Sequence, residues 1–154
     1  MKALSLAAMM IATANAQAQE VRSCNDVSVG IETLVTPVAN NVRTFYNNRI
    51  QIYNIDTIEP AAAPAGIVIV LPSSPEDDPI GGSKCLAIRG FSAINIKAAR
   101  AAYDPAKGLS LSIPTRKFDP ETDKFKSGPR LNISINLQRF EVTIADGAET
   151  KRVK

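Results

Sequence analysis

The sequence holds no histidine and no tryptophan, only two cysteines, and few aromatic side chains (three Tyr and five Phe in 154 residues). Without histidine, a Ser-His-Asp triad, a Cys-His dyad and a His-ligated zinc or copper site are all excluded within this chain. Two thiols are too few for a four-cysteine zinc or iron–sulfur site. Large charge of one sign is also missing. Eighteen basic and fifteen acidic residues leave a net charge of +3, too small and too dispersed to point to nucleic acid. Fixed-period repeats, heptads and a Pro/Gly-rich linker are absent too, so the chain reads as one domain.

What is present begins with a targeting pattern. Lys2 is followed by an apolar, small-residue run from Ala3 to Ala14, and Ala16-Gln17-Ala18 closes it. A charged start, an apolar stretch and an Ala-x-Ala ending make a secretory signal peptide over 1–18, cut after Ala18 with Ala16 as the alternative. The run is too short for a stable bilayer anchor, and no later apolar stretch reaches membrane-spanning length. No transmembrane segment is therefore expected in the mature chain, and residues 19–154 form a single exported domain. In an oxidising compartment Cys24 and Cys85 are expected to pair. Closing a loop of roughly sixty residues stabilises by about 4 kcal/mol in the chain-entropy model. The pair is far apart in sequence, unlike the Cys-x-x-Cys of redox-active sites, so its role is structural.

The mature chain reads as β throughout. Val27 to Val35 alternates with period two and suggests a half-buried strand. Ile50 and Ile52 share one face of a second strand, Tyr53 and Ile55 the other, with a turn at Asn47-Asn48 before them. Gly66 to Leu71 is apolar without interruption, which suits a central strand buried on both faces. Ser73 to Ser83 has the composition of an exposed loop. Gly90 is a candidate bulge. Lys97 to Tyr103 is ambiguous, since Lys97 to Ala102 are good helix formers beside strand-like flanks. Asp104, Pro105 and Gly108 specify a turn before the strand Leu109 to Ile113. Thr115 to Pro129 reads as a long polar hairpin loop that Phe118 and Phe125 pin to the surface beneath it. Leu131 to Ile144 shifts its apolar set from odd to even positions at Gln138-Arg139, which suggests a bulge. Ala145 to Lys154 reads as a polar, frayed tail. About seven short strands separated by turns indicate an all-β, antiparallel β-sandwich with Greek-key-like connections. It is not of immunoglobulin type, because the Trp that accompanies that cysteine pattern is missing.

Candidate sites are few. Glu76, Asp77 and Asp78 could bind calcium, but three adjacent residues cannot all point inward, so a solvated loop is the plainer reading. Asp119, Glu121 and Asp123 have the i, i+2, i+4 spacing of the first ligands of a calcium loop. Pro120 intervenes, Lys124 stands where glycine is needed and Arg130 where the final acid is needed, so an EF-hand is rejected. Ser83-Lys84 lacks a Ser-x-x-Lys signature, and Asn132-Ile133-Ser134 is a formal glycosylation sequon inside a strand. No catalytic residue, cofactor or metal is assigned. The first functional expectation is a non-enzymatic interaction or accessory module of a bacterial periplasm or cell surface, binding a protein or a glycan. A second is a subunit of an extracellular pilus or filament joined by strand pairing, with Leu131–Ile144 and Val27–Val35 as the suspected strands. A third is a carboxylate-dependent hydrolase, which requires two facing acids, one with a raised pKa.

Overall fold

The computed structural model describes residues 20–58, 63–146 and 149–153, so the expected signal peptide at 1–18 lies outside the described residues. The strands in chain order are β1 (Arg22–Ser23), β2 (Val42–Phe45), β3 (Ile50–Asp56), β4 (Ala65–Pro72), β5 (Ser83–Phe91), β6 (Ala93–Ile94), β7 (Arg100–Asp104), β8 (Gly108–Ile113), β9 (Thr115–Asp119), β10 (Lys124–Ser127), β11 (Leu131–Asn136), β12 (Glu141–Asp146) and β13 (Glu149–Val153). Two five-stranded antiparallel sheets, ordered β1-β5-β4-β3-β2 and β13-β12-β11-β8-β7, share one apolar core; a small sheet ordered β10-β9-β6 sits beside them. The fold is the expected antiparallel β-sandwich, with more strands than the sequence suggests. Among the described residues no helix is long and apolar enough to cross a membrane.

The core follows from alternation. On β3 and β4, Ile50, Ile52, Ile67, Ile69 and Leu71 point inward; on β8, β11 and β12, Leu109, Leu111, Ile113, Leu131, Ile133, Ile135, Val142 and Ile144 meet them. Each such side chain contributes roughly 1.5–3 kcal/mol of burial. β4 is central, as its unbroken apolar run requires. Its other face also carries buried Val68, which packs with Ala87, Ile55 and Cys24 in a second cluster. Val27, Val29 and Leu34 cover that cluster, and the Cys24–Cys85 disulfide, with Cα atoms 5.4 Å apart, pins the cover to β5.

That cover is not the strand expected over Val27–Val35. It consists of 3₁₀ turns at Cys24–Val27 and Ile31–Thr33, then an isolated bridge between Leu34 and Ile55. Geometry gives the reason. The chain leaves β1, beside β5, at Cys24 and must reach the outer side of β3 at Leu34, crossing about four strand spacings or roughly 19 Å, whereas ten extended residues span about 33 Å. Tight turns take up the excess. Thr33 donates from both its N–H and its hydroxyl to the Gly30 carbonyl. Because the chain next reaches β2 at the far edge of the sheet while β1 pairs with β5, this crossing is a Greek-key-like return. The second sheet is a plain meander with β9 and β10 inserted.

Other local expectations divide. Tyr46, Asn47 and Asn48 all adopt positive φ in the β2–β3 turn. Gly90 (φ +100°) is the extra residue where Ala65 pairs Phe91 but Gly66 pairs Arg89, so the bulge is present. The phase shift at Gln138-Arg139 is not a bulge. It is the turn between β11 and β12, which closes on the pair Asn136–Glu141, with the Asn136 side-chain oxygen accepting from the N–H groups of Gln138 and Arg139. Thr115–Pro129 holds the β9–β10 hairpin in place of a loop. Phe118 and Phe125 pack edge-to-face on each other, 5.5 Å apart, with Phe125 exposed. The C-terminal tail pairs with β12 as β13.

Burial of β4 on both faces has a measurable consequence. Val68→Ser is expected to lower the unfolding free energy by about 1–3 kcal/mol in urea titration, the cost of a lost methyl and a buried hydroxyl. A change within about 0.5 kcal/mol, as at an exposed position, would mean that the turn segment does not cover that face.

Candidate functional site

Lys97–Tyr103 resolves into a turn followed by strand. The Asn95 side chain accepts from the Ala98 N–H, and the Ala99 N–H donates to the Ile96 carbonyl. Arg100–Asp104 then runs as β7 against β8, in a register from Arg100–Ser112 to Asp104–Gly108. Helix propensity loses here to the hairpin. The Asp104 carboxylate accepts from the N–H groups of Ala106 (2.8 Å) and Lys107 (3.1 Å), and Gly108 takes φ +91°. Those two backbone donors, and then the Lys107 charge, hold the Asp104 carboxyl below the usual carboxylate range.

Ala101 and Tyr103 lie opposite Leu111 and Leu109 on β8, so they occupy the core-facing side of the second sheet. Leu109 and Leu111 are buried, yet every residue of β7 is exposed. The first sheet therefore stops short of β7, and the sandwich gapes along one side. The gap is a groove of about 380 Å³ lined by Phe45, Tyr46, Ala101, Ala102, Tyr103 and Leu109. Its other wall is the end of β2. Tyr46 and Tyr103 meet edge-to-face across it at 5.4 Å, although Tyr103 remains 60% exposed. Partial desolvation, and then Tyr103, push the Tyr46 phenol above its usual range, so it stays neutral at physiological pH. Arg43 holds the gap at its other end, donating to the carbonyls of Ala99 (2.5 Å) and Ile96 (3.5 Å) while its guanidinium lies over the Phe45 ring. β7 is the last strand of its sheet, so its outward N–H and C=O groups face solvent among the described residues.

The sequence-derived candidates fall elsewhere. Asp77 accepts from the Ser74 hydroxyl, and Asp78 from the N–H groups of Ile80 and Gly82, so these acids shape an exposed loop. Asp119, Glu121 and Asp123 share the β9–β10 turn. There Asp119 pairs with Lys126 and accepts from Thr122 and the Glu121 N–H. Lys126 first, and then Thr122, hold the Asp119 carboxyl below the usual range. Among the described residues no three His, Cys, Asp or Glu side chains are grouped to hold a metal ion. The Lys84 ammonium donates to the Phe140 carbonyl at 2.8 Å, which ties the two sheets together at one end. Asn132 accepts from the Ser112 hydroxyl on the outer face of β11. Asp26, Glu32 and Asp56 line a separate polar hollow of about 520 Å³ with Arg22 and Arg89, and Arg89 donates to the Val27 carbonyl.

Both strands suspected of pairing with another chain are wrong for that role. Leu131–Ile144 supplies β11 and β12, which are interior strands, and Val27–Val35 is turns. Among the described residues β7 is an open edge of the second sheet, and helix-forming residues conceal it in the sequence. Comparison with known proteins returns no match to a family model, a curated protein or a solved structure.

The turn carboxylate gives a pH prediction. A depressed native pKa means that Asp104 supports the β7–β8 turn at any pH above the ordinary carboxylate value and loses that contribution as pH falls through the native pKa. Carboxyl-detected NMR is expected to place the Asp104 midpoint below that of an exposed aspartate. A midpoint at or above it would mean the two backbone donors are not engaged in solution.

Proposed function

We propose that this protein is an exported, non-enzymatic β-sandwich module that binds a protein partner along β7 and its groove. One observation carries the reading: an apolar groove lies directly beside a five-residue edge strand whose backbone has no second neighbour among the described residues. Together these suit an extended peptide, because the edge offers hydrogen bonds and the groove takes alternate side chains. A glycan would need polar side chains around the aromatic rings, and the lining offers few. Export rests on the pattern of residues 1–18, with which the Cys24–Cys85 disulfide is compatible. The module reading also draws on the missing histidine chemistry. For the hydrolase alternative, Asp104 and Asp119 are displaced in the direction opposite to a raised general acid. Joining subunits into a filament by strand pairing is the second reading, and the same open edge supports it.

The test uses mature protein from the exported fraction, expected to begin at Gln19. Its bound partner should be recovered with wild type and with Phe125→Ser, which lies on β10. Recovery should fall about tenfold or more with Tyr103→Glu, as for loss of an interface anchor. Recovery that ignores the β7 substitution, or that a soluble glycan competes away, would contradict the reading.

A further inference from the structure

We infer that the partner at this edge is a second copy of the chain, its β7 paired antiparallel with β7 across a twofold axis. The inference rests on the reading of β7 as the docking edge and names its occupant. Three features of the strand support it.

The first is that β7 lacks the protection found on the other edges. Exposed strand edges are commonly blunted by extreme shortness, lysine, proline or a bulge. β1 and β6 have two residues each. β10 reads Lys-Phe-Lys-Ser and lies against Arg116 and Lys117 of β9. β13 carries Lys151 and Arg152. Across the edge of β2, Arg43 folds toward Ala99. The centre of β7, Ala101-Ala102-Tyr103, is uncharged, regular and free of proline.

The second is self-complementarity. Centre an antiparallel pair on Ala102, and Arg100 of one copy lies opposite Asp104 of the other, twice. Arg100 and Asp104 are on the same sheet face as Ala102, so both pairs form on one side, where cross-strand neighbours of opposite charge attract. Arg100 makes no ion pair among the described residues. Asp104 stays ionised to low pH through its turn contacts. The same operation on β10 sets Phe125 against Lys126, and on β13 it sets Lys151 against its own copy.

The third is steric. On the groove face Tyr103 falls opposite Ala101 of the other copy, a large ring beside a methyl group. The two grooves then adjoin across the axis. An interface in which each copy uses the same patch closes at two and does not propagate. With only five residues per strand it belongs among small, reversible interfaces.

Sedimentation equilibrium of the purified mature protein alone, over a wide concentration range, tests this. The expected result is a reversible monomer–dimer equilibrium that stops at twice the monomer mass. Backbone groups alternate along β7, and because Pro105 cannot donate, Asp104 and Ala102 bond toward β8 while Ala101 and Tyr103 face outward. Ala101→Pro, which removes an outward ladder donor, should therefore raise the dimer dissociation constant about tenfold or more. Arg100→Asp alone and Asp104→Lys alone should each be monomeric, because each places like charges opposite one another. An equimolar mixture of the two should dimerise again, since every opposed pair is then attractive. Melting curves matched to wild type show that the variants fold. A wild type that stays monomeric, one that grows beyond a dimer, or folded charge variants whose mixture stays monomeric would overturn the inference. If wild type is monomeric but Tyr103→Glu still abolishes recovery of another protein, the docking reading stands and the second copy is the wrong occupant. If recovery is also insensitive, both fail.

Discussion

The rest of this structure depends on a strand with no polar side. From Ile67 to Leu71 every residue of β4 is apolar, and the strand occupies the middle of its sheet. A sheet built around it cannot leave either face in water. The second sheet covers one face through an aliphatic core nearly without aromatics. The other face is covered by chain that is neither strand nor α-helix. That cover works because it is fixed at both ends, by the disulfide to β5 and by the bridge from Leu34 to β3. Covalent pinning matters most for irregular segments, which have few backbone hydrogen bonds of their own with which to resist opening.

The same demand leaves the opposite side of the sandwich underfilled. The second sheet extends one strand beyond the cover supplied by the first, and β7 carries small or amphipathic residues at its core-facing positions. Alanine loses little by exposure, and Tyr103 stays largely exposed while its ring packs on Tyr46. A larger aliphatic residue there would enlarge an exposed apolar patch. The strand is thus tolerable alone and well suited to a partner that completes it. The polar hollow and the acidic loops differ in kind. In the acidic loops Asp78 caps a local turn and Asp119 holds an ion pair and a turn of its own.

Much of the fold was legible because its causes are local. Period-two alternation at Leu109–Ile113 and Leu131–Ile135, the doubly buried run at β4, the Gly90 bulge and the Asp104 turn each follow from a few neighbouring residues. The misreadings share one origin, tertiary geometry. The alternation at Val27–Val35 is real, but the distance to be crossed is too short for a strand. The phase change at Gln138-Arg139 is equally real, yet a four-residue hairpin turn shifts phase as a bulge does. The candidate site was hidden for a further reason. An edge strand is defined by what is not beside it, and Lys97–Ala102 has the composition of a helix until β8 pairs with it.

The central claim is that the first sheet is sealed on both faces while the second is left open at β7. Residue-resolved amide hydrogen exchange in dilute solution, where any self-association is minimal, tests it most directly. The account predicts that the amides of β4 exchange slowest, near the global unfolding limit, and that the outward-facing amides of β7 exchange orders of magnitude faster than those of β8 beside it. Outward amides of β7 protected as strongly as β4 in a dilute monomer would show that the edge is covered, and would contradict the account.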